Sequence, residues 1–116
     1  MTDIVVCVGE GKGTWKEVFS VLSDEWDKVF IITQDFFKDK IKFEKPHELI
    51  VIDASKDVVA LVADLEKAFT GKFFGDVAVS LVSGSGKEHM AILAALMKSG
   101  AGIRLVYSTE KGAQVL

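Results

Sequence analysis

Five short apolar runs, separated by helical patterns and turns, constrain this chain more than any other feature. Residues 3–8 are nearly unbroken in their apolar character, with Ile4, Val5, Val6, Cys7 and Val8 in succession. A strand reads this way when both of its faces are covered; one with a wet face alternates. Comparable runs occupy 28–33, 49–52, 76–82 and 103–108. Helical spacing fills the gaps. Val18, Val21 and Leu22 share a face of a first helix. Val58, Val59, Leu61, Val62, Leu65 and Phe69 stand at the spacing of a second, with Ser55 as its expected N-cap and Gly71 as its stop. Met90, Leu93, Ala94, Leu96 and Met97 are the expected inward face of a third, ended by Ser99 and Gly100. Segment 34–47 leaves two readings open, a short helix around 35–40 or an extended excursion. Glu110, Lys111 and Gly112 predict a hairpin into a short last strand ending at Leu116. Strands alternating with helices imply right-handed crossovers. The expected fold is therefore α/β: a Rossmann-like, open, mainly parallel sheet of five to six strands, helices on both faces and the last strand antiparallel, in one domain over residues 1–116.

Two glycine-rich loops follow the first and fourth strands, and in such a sheet those two carboxyl ends are neighbours where ligands bind. The first loop is Gly9-Glu10-Gly11-Lys12-Gly13-Thr14. Its glycines let backbone amides approach a ligand closely, and the helix that follows favours an anion. Thr14 and Glu17 have the spacing of a capping box. The other reading is a flexible strand-to-helix turn with a solvated lysine. The loop lacks the third glycine of the dinucleotide fingerprint and the spacing of a P-loop. The second loop, Ser83-Gly84-Ser85-Gly86-Lys87-Glu88-His89-Met90, is the sharper signal. It places two hydroxyls, two glycines and a lysine at a helix start, where the dipole adds positive potential. Ser85 and Glu88 again have capping-box spacing, and a capped turn is the alternative reading. His89 belongs with the same ligand-binding group unless it is a solvated side chain of the first helical turn.

Charge and composition narrow the partners. Against 17 Asp and Glu stand 14 Lys and Arg, a net charge of −3, which opposes a surface built to coat DNA or RNA. A small anionic nucleotide held by a few local cations remains compatible. The apolar stretch 90–97 is far short of the roughly 20 residues a membrane-spanning helix needs, and the start lacks a basic signal-peptide pattern, so a cytoplasmic location without membrane contact is expected. Cys7 sits in an apolar run and reads as a buried thiol. With one cysteine and two histidines no metal constellation is visible, and no cofactor is expected. Trp15 and Trp26 read as core or interface.

The second loop also resembles a known signature. Ser83-Gly84-Ser85-Gly86-Lys87 after an apolar strand, with Met90 beyond, is similar to the small-Gly-Gly-Thr-Lys-x-Met pattern of CARF domains, the CRISPR-associated Rossmann fold. Ser85 stands at the second glycine, Gly86 at the threonine, and Met90 lies one residue late; the lysine is in place. The resemblance covers most of the chain in strand order and this loop alone at motif level. It implies a homodimer whose paired loops surround a cyclic oligoadenylate, in a stand-alone sensor or a ring nuclease. In the latter case a ribose 2′-hydroxyl attacks the adjacent phosphate without a metal. By resemblance Lys87 would stabilise charge on the phosphorane, and Ser83 or Ser85 and Thr14 would orient phosphate or ribose. Two other readings remain at this level. One is a domain for another nucleotide cofactor, with Asp35 at the distance expected of a ribose-binding carboxylate. The other is an assembly subunit whose loops carry no ligand.

Overall fold

The computed structural model describes residues 2–116, Lys12 by its backbone alone. Its strands are β1 (Asp3–Val8), β2 (Val29–Gln34), β3 (Glu48–Ile52), β4 (Asp76–Ser80), β5 (Gly102–Thr109) and β6 (Gly112–Val115). They form one sheet in the order β3-β2-β1-β4-β5-β6. Every pairing is parallel except the last, where β5 and β6 run antiparallel. β1 lies between β2 and β4, so the winding reverses there and a crevice opens at the carboxyl ends. The α/β sheet read from the sequence is the sheet observed.

Alternate residues of each strand feed two cores. Val5, Cys7, Val77 and Val79 pack under α3 (Val58–Phe69) and α4 (Gly86–Lys98), with Leu61, Leu65, Phe69, Ile92 and Leu96 facing inward. Ile4, Val6, Val8 and Ile31 pack under α1 (Trp15–Leu22) through Val18, Val21 and Leu22. This second cover is shorter, and Ile41 and Phe43 extend it from the irregular chain before β3; Phe43 stacks on Phe19 with centroids 6.1 Å apart. Of the two readings for 34–47, the structure has one helical turn, α2 (Asp35–Lys38), followed by irregular chain. The terminal hairpin is tied back to α1, since the Ala113 amide donates to Asp24 at 2.7 Å and the Ser20 and Ser108 hydroxyls meet at 2.7 Å. Both tryptophans pack against the α1 core with their indole N–H groups satisfied, Trp15 by the Gly9 carbonyl at 2.8 Å and Trp26 by that of Val21 at 2.9 Å. Among the described residues no helix is long and apolar enough to cross a membrane.

Three local expectations are corrected. Thr14 does not cap α1. It ends a 3-10 turn in helical conformation, and its hydroxyl donates to the Gly11 carbonyl at 2.5 Å, which closes the loop on itself. Glu17 accepts instead from the Tyr107 hydroxyl, and that hydrogen bond and charge push the tyrosine above its ordinary pKa. The N-cap of α3 is Asp57, which accepts from the Ala60 amide at 2.8 Å; Ser55 is spent on Asp53 through its amide and hydroxyl. On α4 the inward residues are Ala91, Ile92, Ala95 and Leu96, whereas Met90 and Met97 are 63% and 66% exposed. This helix is apolar nearly all round, so spacing offers two faces, and packing against α3 decides between them.

That assignment is measurable by urea denaturation. Ile92→Ala should cost about 2–5 kcal/mol as a buried truncation, while Met97→Ala should stay within about 0.5 kcal/mol of the parent chain. Equal losses at both positions would mean that α4 is turned about its axis.

Candidate functional site

Both glycine-rich loops meet at the switch point, and two of their glycines, Gly9 and Gly84, let one backbone lie on the other. A Cβ at Gly9 would stand 2.9 Å from the Gly84 Cα. Gly84 has φ +98°, and a Cβ there would lie 2.6 Å from the Cys7 sulfur and 3.2 Å from a Glu88 oxygen. The Gly9 amide donates to the Ser83 hydroxyl at 3.1 Å, a buried bond that fastens the loop after β1 to the loop after β4. His89 Nε2 donates to the Ser83 carbonyl at 2.6 Å, so His89 is a half-buried brace of this loop; the proton must be on that nitrogen because a carbonyl only accepts. Nearby, the Thr33 hydroxyl donates to the Val8 carbonyl at 2.6 Å and holds the ends of β1 and β2 together.

Glu88 lies at the centre of this arrangement. Only 2% exposed, it accepts from the Ser85 amide at 2.8 Å, while the Ser85 hydroxyl accepts from the Glu88 amide at 3.2 Å. The capping box expected here is formed. Its second oxygen faces the Gln34 side-chain amide at a longer 3.4 Å. Sequence reasoning gave Glu88 a capping role only. The signal for more was its position: a carboxylate one turn before Ile92 on what became the buried face of α4. Burial, with the Glu88 carboxylate adding to it, pushes the Cys7 thiol far above the usual cysteine range.

The other site residues fall into distinct places. Gly86 and Gly13 have open space where a Cβ would be, and Gly11 takes φ +89° in the turn that Thr14 closes. Glu10 is exposed beside them. The side chain of Lys12, expected to supply a cation, lies outside the described residues. Lys87 points away from the first loop, its Nζ donating to the Ala54 carbonyl after β3 at 2.9 Å. Thr14 leads into α1, which packs on the opposite face of the sheet from α4. The structure thus brings together Gly9, Ser83, Gly84, Ser85 and His89, with Lys87 at the edge nearest β3, and it keeps Thr14 apart from Lys87. The amides of Gly86 and Lys87 lie in the first turn of α4 and have no intrahelical acceptor, so this 13-residue helix offers an anion two donors and its dipole. Among the described residues, no group of His, Cys, Asp and Glu is arranged to hold a metal ion.

Two measurements check the geometry. Gly84→Ala should cost at least about 2 kcal/mol, from the positive φ and the sulfur contact, whereas Gly86→Ala should be neutral or stabilising by up to about 1 kcal/mol. Cys7 should resist a thiol reagent such as DTNB at pH 8 in the folded chain and react at once in denaturant. Rapid labelling of the native protein would contradict the packing of Gly84 on Cys7. No protein-family model, curated protein or solved structure matches the chain, and what the site does is read from its own geometry.

Proposed function

We infer that this chain binds a small phosphate-bearing nucleotide at the switch point, and that the ligand is a cyclic oligoadenylate shared by two copies, as the CARF resemblance implies. One observation carries the reading. The loops after β1 and β4 are fastened side by side at the carboxyl edge by the Gly9–Ser83 hydrogen bond, next to the first turn of α4. A phosphate there would find amide donors, the helix dipole and the Lys87 ammonium without the loops having to order first. Where the ring is also cleaved, the 2′-hydroxyl oxygen of one ribose bonds to the phosphorus on its own 3′-oxygen, and the bond from that phosphorus to the next ribose's 5′-oxygen breaks in line. The hydroxyl proton passes through water to the departing 5′-oxygen, leaving a 2′,3′-cyclic phosphate. The part of this chain in that step is alignment, with Lys87 offsetting the charge that builds on phosphorus. Ser83 contributes by fixing the Gly9 amide, and Thr14 by shaping the first loop. A second copy would fit the outward face of α4, where Met90 and Met97 are exposed two turns apart on one stripe.

A second reading has its own support. Asp35 stands directly after β2, where nucleotide-binding sheets of this type place the carboxylate that holds a ribose. It would make the ligand a mononucleotide or dinucleotide cofactor.

The deciding experiment is thermal stabilisation by cyclic oligoadenylates, ATP and NAD, with light scattering to follow assembly. At a hundredfold excess over Kd a ligand adds about 2.7 kcal/mol, which shifts Tm by several degrees in a domain of this size. A cyclic oligoadenylate should do this and hold two copies together, whereas ATP and NAD should leave the state of assembly unchanged. Lys87→Ala should weaken binding by about 1.5–3 kcal/mol with little loss of stability, while Ser85→Ala should cost roughly 1 kcal/mol of stability as a lost cap. Unchanged binding by Lys87→Ala, or a monomer with and without ligand, would remove the shared-ring reading.

A further inference from the structure

Beside the switch point, an open cavity of about 500 Å3 lies between the carboxyl ends of β2 and β3. That volume suits a nucleoside-sized ligand. Its walls differ in character. Phe36 shows a ring that is 69% exposed, although a phenylalanine gains from burial. The ring is nonetheless held. It meets Phe37 edge to face, with centroids 5.1 Å apart and planes at 81°, and Trp15 braces Phe37 in turn at 5.7 Å. The Lys40 ammonium sits 3.7 Å from the Phe36 centroid. Val51, 44% exposed, adds an apolar wall. Gln34 lines the same space, and its contact with Glu88 sets the orientation of its amide, because a carboxylate accepts only. One N–H faces Glu88, which leaves the carbonyl oxygen and the second N–H for a ligand.

The charges favour the neutral end of a nucleotide. Asp35 and Asp53 both line the cavity. Asp35 pairs with Lys38 at 2.8 Å, and Asp53 accepts twice from Ser55. Lys38 and Lys40 offset these two carboxylates, so the charge here is nearly balanced, and a carboxylate accepts hydrogen bonds from a ribose hydroxyl. The one cation joining this cavity to the loops is Lys87 among the described residues, held on the carbonyl of Ala54, itself part of the wall. β2 lies one strand spacing, about 5 Å, from β1, so a nucleotide can span both places.

We propose that this cavity is an adenine-nucleoside subsite, with the base stacked on Phe36, its edge read by Gln34 and the ribose hydroxyls by Asp35, while Lys87 holds the attached phosphate at the switch point. Adenine fits the Gln34 amide because N6 donates to the carbonyl oxygen while N7 accepts from the N–H. Hypoxanthine presents two acceptors on that edge and leaves the carbonyl facing an acceptor. The subsite rests on the reading that the chain binds a nucleotide, but not on the nucleotide being a ring.

Calorimetric titration of the full chain with AMP, IMP and cyclic tetra-adenylate tests it, using the parent chain, Phe36→Ala and Phe36→Leu. Because Phe36 is exposed, both variants should fold as the parent does. Loss of a base-stacking platform should weaken AMP and cyclic tetra-adenylate roughly 5- to 100-fold in Phe36→Ala, and somewhat less in Phe36→Leu. IMP should bind the parent about tenfold more weakly than AMP. If both variants bind the two adenylates as the parent does, the subsite is wrong and the switch-point reading survives. If the parent binds AMP but no cyclic tetra-adenylate, and Phe36→Ala loses AMP, the subsite stands and the shared ring falls. IMP bound as tightly as AMP overturns the role given to Gln34. A parent chain that binds none of the three overturns both proposals.

Discussion

Everything at the carboxyl edge of the sheet depends on how closely the backbone at Gly9 passes the backbone at Gly84. With no Cβ on either residue, the loops after β1 and β4 lie directly on one another, and Gly84 settles onto the Cys7 sulfur. That contact brings the Gly9 amide onto the Ser83 hydroxyl and leaves Glu88 enclosed beneath both loops. A buried carboxylate is tolerated only when its oxygens are hydrogen-bonded. Here the bonds come from the Ser85 amide and the Gln34 side chain, each belonging to a segment that borders the site. One ionisable side chain therefore couples the helix cap, the loop crossing and the end of β2.

The two faces of the sheet are covered unequally, and this explains where open space remains. α3 and α4 cover one face with 12 and 13 residues. The other face has the eight residues of α1 and the irregular chain that carries Ile41 and Phe43. The crossover from β2 to β3 holds one helical turn where a longer helix would lie over the end of β3. Val51 and Phe36 remain uncovered as a result. The cavity beside the switch point follows from that short crossover.

Much of this was legible in the sequence, for identifiable reasons. The central strands β1, β2 and β4 were readable because each is buried on both faces, and continuous apolar runs such as 3–8 and 76–80 have no competing pattern. The capping box of Ser85 and Glu88 was readable because it is local chemistry within four residues. Thr14 and Glu17 have the same spacing and form no box, because Thr14 closes the loop onto Gly11 and Glu17 is drawn to Tyr107, 90 positions away in sequence on β5. The inward face of α4 was misread because a helix apolar on every side has no unique stripe, and only its neighbours select one. The doubled glycines were read as room for a ligand, whereas Gly9 and Gly84 make room for each other. Gly13 and Gly86 are the two that leave space open. The cavity at Phe36 was not legible at all, since its walls come from two strand ends joined only by the fold.

The balance of charge gives the site its character. A chain of net charge −3 repels anions at long range, but at physiological salt that repulsion is screened beyond roughly 8 Å. What the proposed phosphate would meet is then decided by groups within a few ångströms: first-turn amides of α4, its dipole and the Lys87 ammonium. These act from rigid positions, because the glycine crossing fixes the loop and the Ala54 carbonyl holds the lysine. The carboxylates of Asp35 and Asp53 stand just beyond, the first paired with Lys38, so cations and carboxylates alternate across one strand spacing. The proposed nucleotide, anionic at one end and neutral and hydroxyl-rich at the other, would match that arrangement. A bulk polyanion would meet repulsion from the rest of the surface.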